Sequence, residues 1–239
     1  MRAEYVHNIA NYLEQDKKTL VLSGEEAYHL IKVARVRAHE KILILDGMGL
    51  AVQAQVSAIS KKELHLVLNS VEYKKRAYNL HLGLGVIKKP AFEEVLKLAT
   101  EVGIRSITPI ICENSIDYRL NSPERFQSIM VNALKQSNNP YLPVLNEKIS
   151  FSQFNYDTFS KVFCFSLGPE IKYSAPHSGI SSSENILLLV GPEGGFTEKE
   201  HLMMGLEERI KFLGLPTPIL RTPTAVVAAT SYLLADMKD

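Results

Sequence analysis

The chain has 239 residues, with 27 basic and 26 acidic side chains and 46% apolar residues, which is the composition of an ordinary globular protein. This length supports one large or two small domains, and the even charge balance gives no compositional reason to expect a nucleic-acid partner. The two cysteines, Cys112 and Cys164, provide neither metal-site spacing nor a disulfide framework, so we expect a reducing compartment.

The opening segment, MRAEYVHNIANYL, lacks the apolar centre of a signal peptide. No apolar run approaches the roughly 18 residues that a membrane helix needs. We therefore expect a cytoplasmic protein with no membrane segment.

The segment from Thr19 to Val71 has the pattern of a small β-rich domain. The apolar patterns predict strands at Thr19–Leu22, Lys41–Leu45, Leu50–Val56 and Glu63–Leu68. Ser23 with Glu26 three residues later predicts a helix that begins there and continues towards Arg37. The polar segment YKKRA marks the boundary, so that the first domain covers residues 1–73 and the second residues 77–239.

Positive side chains cluster on the predicted helix of the first domain. His29, Lys32 and Arg35 fall on adjoining parts of one helix sector. Such a cluster is able to hold phosphates, and the binding would then weaken as the salt concentration rises. A solvated helix face explains the same pattern equally well.

Strands and helices alternate in the second domain. The patterns predict strands at Tyr78–Val86, Ile104–Ile111, Lys161–Leu167 and Ile186–Val190, and helices at Pro90–Val102 and Ser122–Lys135. This alternation predicts an α/β domain with a parallel sheet, in which a ligand binds beyond the carboxyl ends of the strands. The pair Gly83-x-Gly85 lacks the third glycine of a dinucleotide-binding fingerprint, so it is a weak signal.

The first candidate binding loop is GPEGG at residues 191–195, directly after a predicted buried strand. Its glycines allow positive φ and the close approach of a ligand. Thr197 with Glu200 three residues later predicts a capped helix whose free amides point back at the loop. Such amides favour phosphate, but the spacing matches neither common nucleotide-binding motif, so a plain turn remains an alternative.

A second loop follows the short apolar segment Phe212–Leu215. Pro216 and Pro218 stiffen the connection into the tripeptide ILR. Thr222 followed by Pro223 predicts the start of a helix whose continuation, up to Leu234, is apolar nearly all round. Such a helix is buried in the core or against a second subunit.

The strings GPEGGFTEKE and LGLPTPILRTPTA together resemble the paired motifs of the RsmE family, the 16S rRNA uridine-N3 methyltransferases of the SPOUT superfamily. The resemblance implies a C-terminal α/β domain with a deep trefoil knot and a small PUA-like N-terminal β-barrel. It implies S-adenosyl-L-methionine as cofactor and 16S rRNA, within the small ribosomal subunit, as partner. It also implies a homodimer formed through the knot and the last helix.

The resemblance places the cofactor between the two loops. The implied cofactor contacts are Leu167, Leu188, Gly191, Pro192, Glu193, Gly194, Gly195, Leu213, Gly214, Ile219, Leu220, Thr222, Thr224 and Ala225. Arg221 is the candidate catalytic cation, with an RNA phosphate contact or a structural ion pair as alternatives. His29, Lys32, Arg35 and Lys88 are the expected RNA contacts, and no metal is expected.

Two other functions remain open from the sequence. A SPOUT enzyme of this kind could methylate another RNA atom, such as a ribose 2′-oxygen, or the chain could be an RNA-binding assembly factor without turnover. The second alternative is suggested by departures from the family pattern. Glu4 and Tyr5 stand where the family usually has an arginine, and Pro223 stands where it usually has a glutamate.

Overall fold

The computed structural model describes residues 1–13, 18–116, 122–166, 180–235 and 237–238. The chain divides into two compact units. The first comprises Met1–Arg76 together with Val131–Leu142, and the second comprises Ala77–Met130 together with Pro143–Asp239. The first unit therefore includes a segment that is distant from it in sequence.

A five-stranded sheet forms the framework of the first unit. Its strands are β1 (Arg2–Tyr5), β2 (Thr19–Ser23), β3 (Lys41–Leu45), β4 (Leu50–Ile59) and β5 (Glu63–Tyr73), in the spatial order β1-β3-β4-β5-β2. β1 pairs with β3 in parallel, and the other neighbours are antiparallel. Alternate residues such as Ile42, Ile44 and Leu64 are fully buried, so the period of two creates the core of this unit.

The helical segment after β2 is shorter than the sequence pattern predicts. It consists of α1 (Gly24–Tyr28) and a π-helical turn at His29–Val33. Arg35 has a φ of +54°, which lies in the left-handed region, so the expected continuation to Arg37 is wrong. Within the described residues the Ser23 side chain makes no capping hydrogen bond either.

The distant segment completes the core and the charge balance of the first unit. Leu134 is fully buried in a cluster with Leu45. The Glu4 carboxylate is only 2% exposed, and it lies 2.5 Å from the Arg2 Nε and 3.7 Å from the Lys135 Nζ. Glu4 thus places a buried carboxyl group beside two basic side chains of the first unit.

The second unit is built around a parallel sheet. From residue 77 onward the elements are β6 (Asn79–Gly85), α2 (Lys89–Glu101), β7 (Ser106–Ile111), α3 (Pro123–Ser137), β8 (Val144–Leu145), β9 (Ile149–Ser150), β10 (Lys161–Phe165), β11 (Ile180–Ser181), β12 (Asn185–Val190), α4 (Glu198–Gly205), β13 (Ile210–Leu213), α5 (Thr222–Ala235) and β14 (Met237–Lys238). The main sheet has the order β13-β10-β12-β6-β7-β8, β9 also pairs with β7, and all these pairings are parallel. The predicted α/β class with a parallel sheet is confirmed.

Strand register brings three chain segments to one edge of this sheet. Phe165, the last residue of β10, pairs with Val190 of β12 and with Leu213 of β13. All three strands end at this level, so the segments that follow them begin side by side. This is the sheet edge at which ligands bind in open α/β folds.

The glycine pair on β6 serves close packing. A Cβ atom on Gly83 would lie 2.6 Å from the Leu189 Cδ2, and one on Gly85 would lie 2.4 Å from the Pro192 nitrogen. Both distances are too short for any side chain, because the atoms concerned belong to the neighbouring strand β12 and to the loop that follows it. The pair therefore lets the strand and the loop approach β6, which explains its spacing without a dinucleotide.

Candidate functional site

A cleft of about 780 Å³ opens at this edge of the sheet in the second unit. Its walls come from the ends of β10, β12 and β13, from the first turns of α2, and from the connection into α5. The predicted cofactor contacts that line it are Gly191, Pro192, Glu193, Gly194, Gly195, Leu213, Ile219, Leu220, Thr222 and Ala225, and the predicted catalytic residue Arg221 lines it as well. The two loops singled out in the sequence therefore line one cavity.

The GPEGG loop is a tight turn held by its own backbone. The Gly195 N–H donates to the Pro192 carbonyl at 2.8 Å, and Gly195 has a φ of +70°, which disfavours any residue with a Cβ. A Cβ on Gly194 would lie 3.0 Å from the Asn114 Cβ. Gly195 is therefore favoured by its backbone conformation, and a side chain at Gly194 would be in tight contact with Asn114.

The segment after β7, at Glu113 and Asn114, makes hydrogen bonds to this turn and to the start of α4. The Asn114 Nδ2 donates to the Gly194 and Gly195 carbonyls, each at 3.1 Å. The Glu200 carboxylate closes the predicted capping box with Thr197 and also accepts the Glu113 N–H at 2.9 Å. No sequence pattern predicts the Asn114 contacts, because their partners lie about 80 residues away along the chain.

Lys88 lies at the cleft through its backbone. Its N–H donates to the Glu193 Oε1 at 3.2 Å, which connects the start of α2 to the glycine turn. The Lys88 side chain is exposed beside the cavity. Of the four predicted RNA contacts, Lys88 is thus the one that lines this cleft, and its backbone N–H binds the carboxylate of Glu193.

Arg221 stands at the mouth of the cleft, directly before α5. Its side chain is 74% exposed, and its Nη2 lies 3.7 Å from the Glu94 Oε1 on α2. An exposed pair at this distance contributes little to stability, so the guanidinium keeps its capacity to bind a ligand. Its backbone carbonyl accepts the Ala225 N–H at 2.9 Å, which fixes the residue to the first turn of the helix.

Ser166 and His201 form a hydrogen-bonded pair that the sequence patterns did not suggest. Ser166 follows β10 and lines the cleft, and its Oγ lies 2.7 Å from the His201 Nε2. The histidine belongs to α4, and its ring packs against Phe196 and Phe212. A polar group with a fixed partner thus lies in an otherwise mainly apolar wall.

The remaining predicted residues lie elsewhere. Of the described residues, Leu188, Gly214 and Thr224 are the predicted cofactor contacts that do not line the cleft, and Leu188 is fully buried in the sheet. Leu167 lies outside the described residues. His29, Lys32 and Arg35 are exposed on the first unit, and their role in binding RNA stays a prediction.

The first unit carries a separate basic groove. Arg2, Arg35, Arg37 and His39 line an open depression of about 600 Å³, together with Glu40. Arg2 is partly engaged, since its Nη2 donates to the Ala34 carbonyl. The groove places Arg35, one of the predicted RNA contacts, among other positive groups.

Other kinds of site find little support among the described residues. Within this part of the chain, no group of three or more His, Cys, Asp and Glu residues could hold a metal ion. Burial raises the pKa of the Cys112 thiol to about 12 and raises that of Cys164 as well, so neither sulfur is a ready nucleophile. No described helix combines the length and the apolar content that crossing a lipid bilayer requires.

Comparison with known proteins identifies related sequences along most of the chain. A family model for an RNA methyltransferase domain matches residues 74–234, and one for an RNA methyltransferase PUA domain matches residues 22–69. The ribosomal RNA small subunit methyltransferase E 2 of Borreliella burgdorferi is 28% identical over 92% of this chain and 92% of its own length. The Synechocystis ribosomal RNA small subunit methyltransferase E is 26% identical over 91% of this chain and 73% of its own length.

A solved structure has the same fold. The ribosomal RNA small subunit methyltransferase E of Neisseria gonorrhoeae, bound to S-adenosyl methionine, aligns with a TM-score of 0.80 at 24% identity, covering 98% of this chain and 97% of its own. The predicted SPOUT-type α/β domain with a PUA-like N-terminal domain is thereby confirmed. The expected trefoil knot is consistent with this likeness.

Proposed function

Because the chain belongs to the RNA methyltransferase family, we propose that it uses S-adenosyl-methionine to methylate the N3 atom of a uridine in the 16S rRNA of the small ribosomal subunit. The relatives named ribosomal RNA small subunit methyltransferase E support this substrate, and the RsmE-like strings GPEGG and ILR support the N3 position. The observation that carries the proposal is that both strings line one cleft.

The cleft suits a cofactor with a flat base and a sulfonium cation. Its volume of about 780 Å³ lies in the usual range for small-molecule pockets, roughly 300–1,000 Å³. Leu213, Ile219 and Leu220 provide apolar walls, and the backbone of residues 191–195 provides hydrogen-bonding groups. S-adenosyl-methionine supplies the methyl group when it is bound, as the Neisseria gonorrhoeae relative binds it.

Arg221 is the residue that we assign to the chemistry. Uracil N3 must lose its proton to accept a methyl group, and the resulting anion spreads onto the two carbonyl oxygens. A fixed guanidinium near those oxygens stabilises the anion without itself accepting the proton. Arg221 fits this role because it is exposed at the mouth of the cleft while its backbone is fixed by the start of α5.

The first unit is assigned to binding rRNA. His29, Lys32 and Arg35 are exposed there, and the groove that Arg35 shares with Arg2 and Arg37 offers further positive charge. Such groups hold phosphates and position the RNA without reading its sequence. The target base must be splayed out of its stack to reach the cleft, so binding to a structured subunit is part of the proposal.

Dimerisation is assigned to the last helix and the knot. Several apolar side chains of α5 are only half-buried in the single chain, among them Val227, Tyr232 and Leu234. A second copy of the chain would cover them. The place of action is the cytoplasm, where ribosomal subunits are assembled.

The test is nucleoside mass spectrometry of 16S rRNA. Small subunits from a strain that lacks the gene are incubated with the purified chain and labelled S-adenosyl-methionine, and the digested rRNA is analysed. We expect label in 3-methyluridine. Label in a 2′-O-methylated nucleoside would assign the chain to another SPOUT reaction, and cofactor binding without any labelled nucleoside would indicate a non-catalytic assembly factor.

A further inference from the structure

The hydrogen-bonded pair in the cleft wall has a defined direction. The His201 Nδ1 lies 3.1 Å from the Thr197 carbonyl oxygen, which can only accept a hydrogen bond. Nδ1 therefore carries the hydrogen, and in the neutral ring Nε2 is left as an acceptor. The Ser166 hydroxyl, 2.7 Å away, must then donate its proton to Nε2.

Both members of the pair are held in place. The His201 ring has its centroid 6.0 Å from that of Phe196 and 5.6 Å from that of Phe212, so it is bounded by two aromatic rings. The Ser166 N–H donates to the Leu213 carbonyl at 3.2 Å, which extends the β10–β13 pairing by one residue. Rotation of the His201 ring would break its contacts with the two aromatic rings, and rotation of the Ser166 side chain would break its 2.7 Å hydrogen bond to Nε2, so the hydroxyl proton stays with the histidine.

The consequence concerns the face that Ser166 presents to the cleft. A serine hydroxyl has one proton and two lone pairs, and here the proton is already used. The oxygen can therefore only accept hydrogen bonds from a ligand. A carboxylate is disfavoured at this position, whereas an amino group is favoured.

We propose that Ser166, oriented by His201, is a specificity-determining residue that accepts a hydrogen bond from an amino group of the methyl donor. This inference rests on the proposed function. The donor has two such groups, the exocyclic amine of adenine and the α-ammonium of its methionine part, and both have the N–H chemistry that this oxygen selects. His201 acts as a positioning residue, because it fixes the polarity of the hydroxyl without touching the ligand.

Calorimetric titration of the full chain with S-adenosylhomocysteine provides the first test. We expect Ser166→Ala to weaken binding about fivefold to tenfold, the loss that one net hydrogen bond represents. Ser150→Ala is the matched control. It deletes a hydroxyl that donates to the Gln153 Oε1 at 2.7 Å, and neither residue lines the cleft. The control should bind as the wild type does.

Two analogues distinguish this role from a structural one. One has hypoxanthine in place of adenine, and the other lacks the α-amino group. If Ser166 accepts a hydrogen bond from one of these groups, the wild type binds the corresponding analogue about fivefold to tenfold more weakly than it binds S-adenosylhomocysteine. Ser166→Ala then binds that analogue as tightly as it binds S-adenosylhomocysteine. The analogue that shows this behaviour identifies the group. The inference would be overturned if Ser166→Ala lowered the affinity for S-adenosylhomocysteine and for both analogues by the same factor, or if it lowered none of the three affinities.

His201→Phe tests the positioning role separately. Phenylalanine keeps a ring between Phe196 and Phe212 but removes the acceptor, so the serine hydroxyl can turn and donate. We expect the discrimination between the natural ligand and the identified analogue to shrink to less than about threefold. Unchanged discrimination would remove His201 from the account. If the wild type did not bind S-adenosylhomocysteine at all, the proposed function would be overturned as well. If the wild type bound it but Ser166→Ala lost the same factor of affinity for all three ligands, only this inference would be overturned.

Discussion

At the scale of single residues, the site combines three different demands on glycine. The φ of +70° favours glycine at position 195, the tight contact with Asn114 favours it at position 194, and the approach of Pro192 to β6 requires it at position 85. The sequence predicted the first demand, because a glycine pair before a helix start favours positive φ. It could not predict the other two, since the crowding atoms come from residues about 80 and 107 positions away, which only the folded chain brings close.

Arg221 gives the sharpest prediction at this scale. We expect Arg221→Ala to lower kcat by about 100-fold to 1,000-fold, the range for removing one group that stabilises a developing anion. The affinity for S-adenosylhomocysteine should change by less than about threefold, because we assign the side chain to the uracil and not to the cofactor. Steady-state methylation of small subunits measures kcat, and calorimetry measures the affinity.

Arg209→Ala is the control for this variant. It removes an arginine of similar chemistry whose Nη1 lies 3.4 Å from Asp157, away from the cleft. It should leave both quantities close to those of the wild type. Equal losses of turnover and cofactor affinity in Arg221→Ala would instead make Arg221 a cofactor ligand.

At the scale of helices and strands, local patterns were reliable where the signal and its partner are neighbours. The capping box of Thr197 and Glu200 is present as predicted, because both hydrogen bonds span three residues. The strand Lys41–Leu45 also has the predicted bounds. The prediction that the helix continues to Arg37 was wrong, because no local sequence rule predicts a π-helical turn followed by a residue with positive φ.

The contact between α2 and α3 predicts a response to acid. Arg125 donates to both Glu93 oxygens, at 2.6 and 2.7 Å, and this hydrogen bonding lowers the pKa of Glu93 below its ordinary 4.5. A lowered pKa in the folded chain means that the pair contributes stability above about pH 4.5, and that this contribution is lost as the pH falls through the lowered value.

Glu93→Gln should therefore flatten the acid limb of the stability curve. We expect its melting temperature to fall less steeply than that of the wild type as the pH drops below about 4.5. The effect should be small, since Arg125 is well exposed. Glu124→Gln, the same change on the exposed first turn of α3, is the control. If the melting temperature of Glu93→Gln fell with pH as steeply as that of the wild type, the Glu93–Arg125 pair would not be the source of the acid response.

At the scale of the whole molecule, strand order creates the site. Because β13, β10 and β12 are neighbours and end in register, the segments after Phe165, Val190 and Leu213 begin at one edge. The alternation of strands and helices was enough to predict the parallel sheet. The inclusion of residues 131–142 in the first unit was not predictable, because it depends on contacts such as that of Lys135 with Glu4.

The most direct test of the account is a crystal structure of the chain with S-adenosylhomocysteine. We expect the ligand to lie in the cleft, with its polar groups on the backbone of residues 191–195 and its base against Ile219 and Leu220. A ligand that contacts only one of these two segments, or that binds elsewhere on the chain, would contradict it.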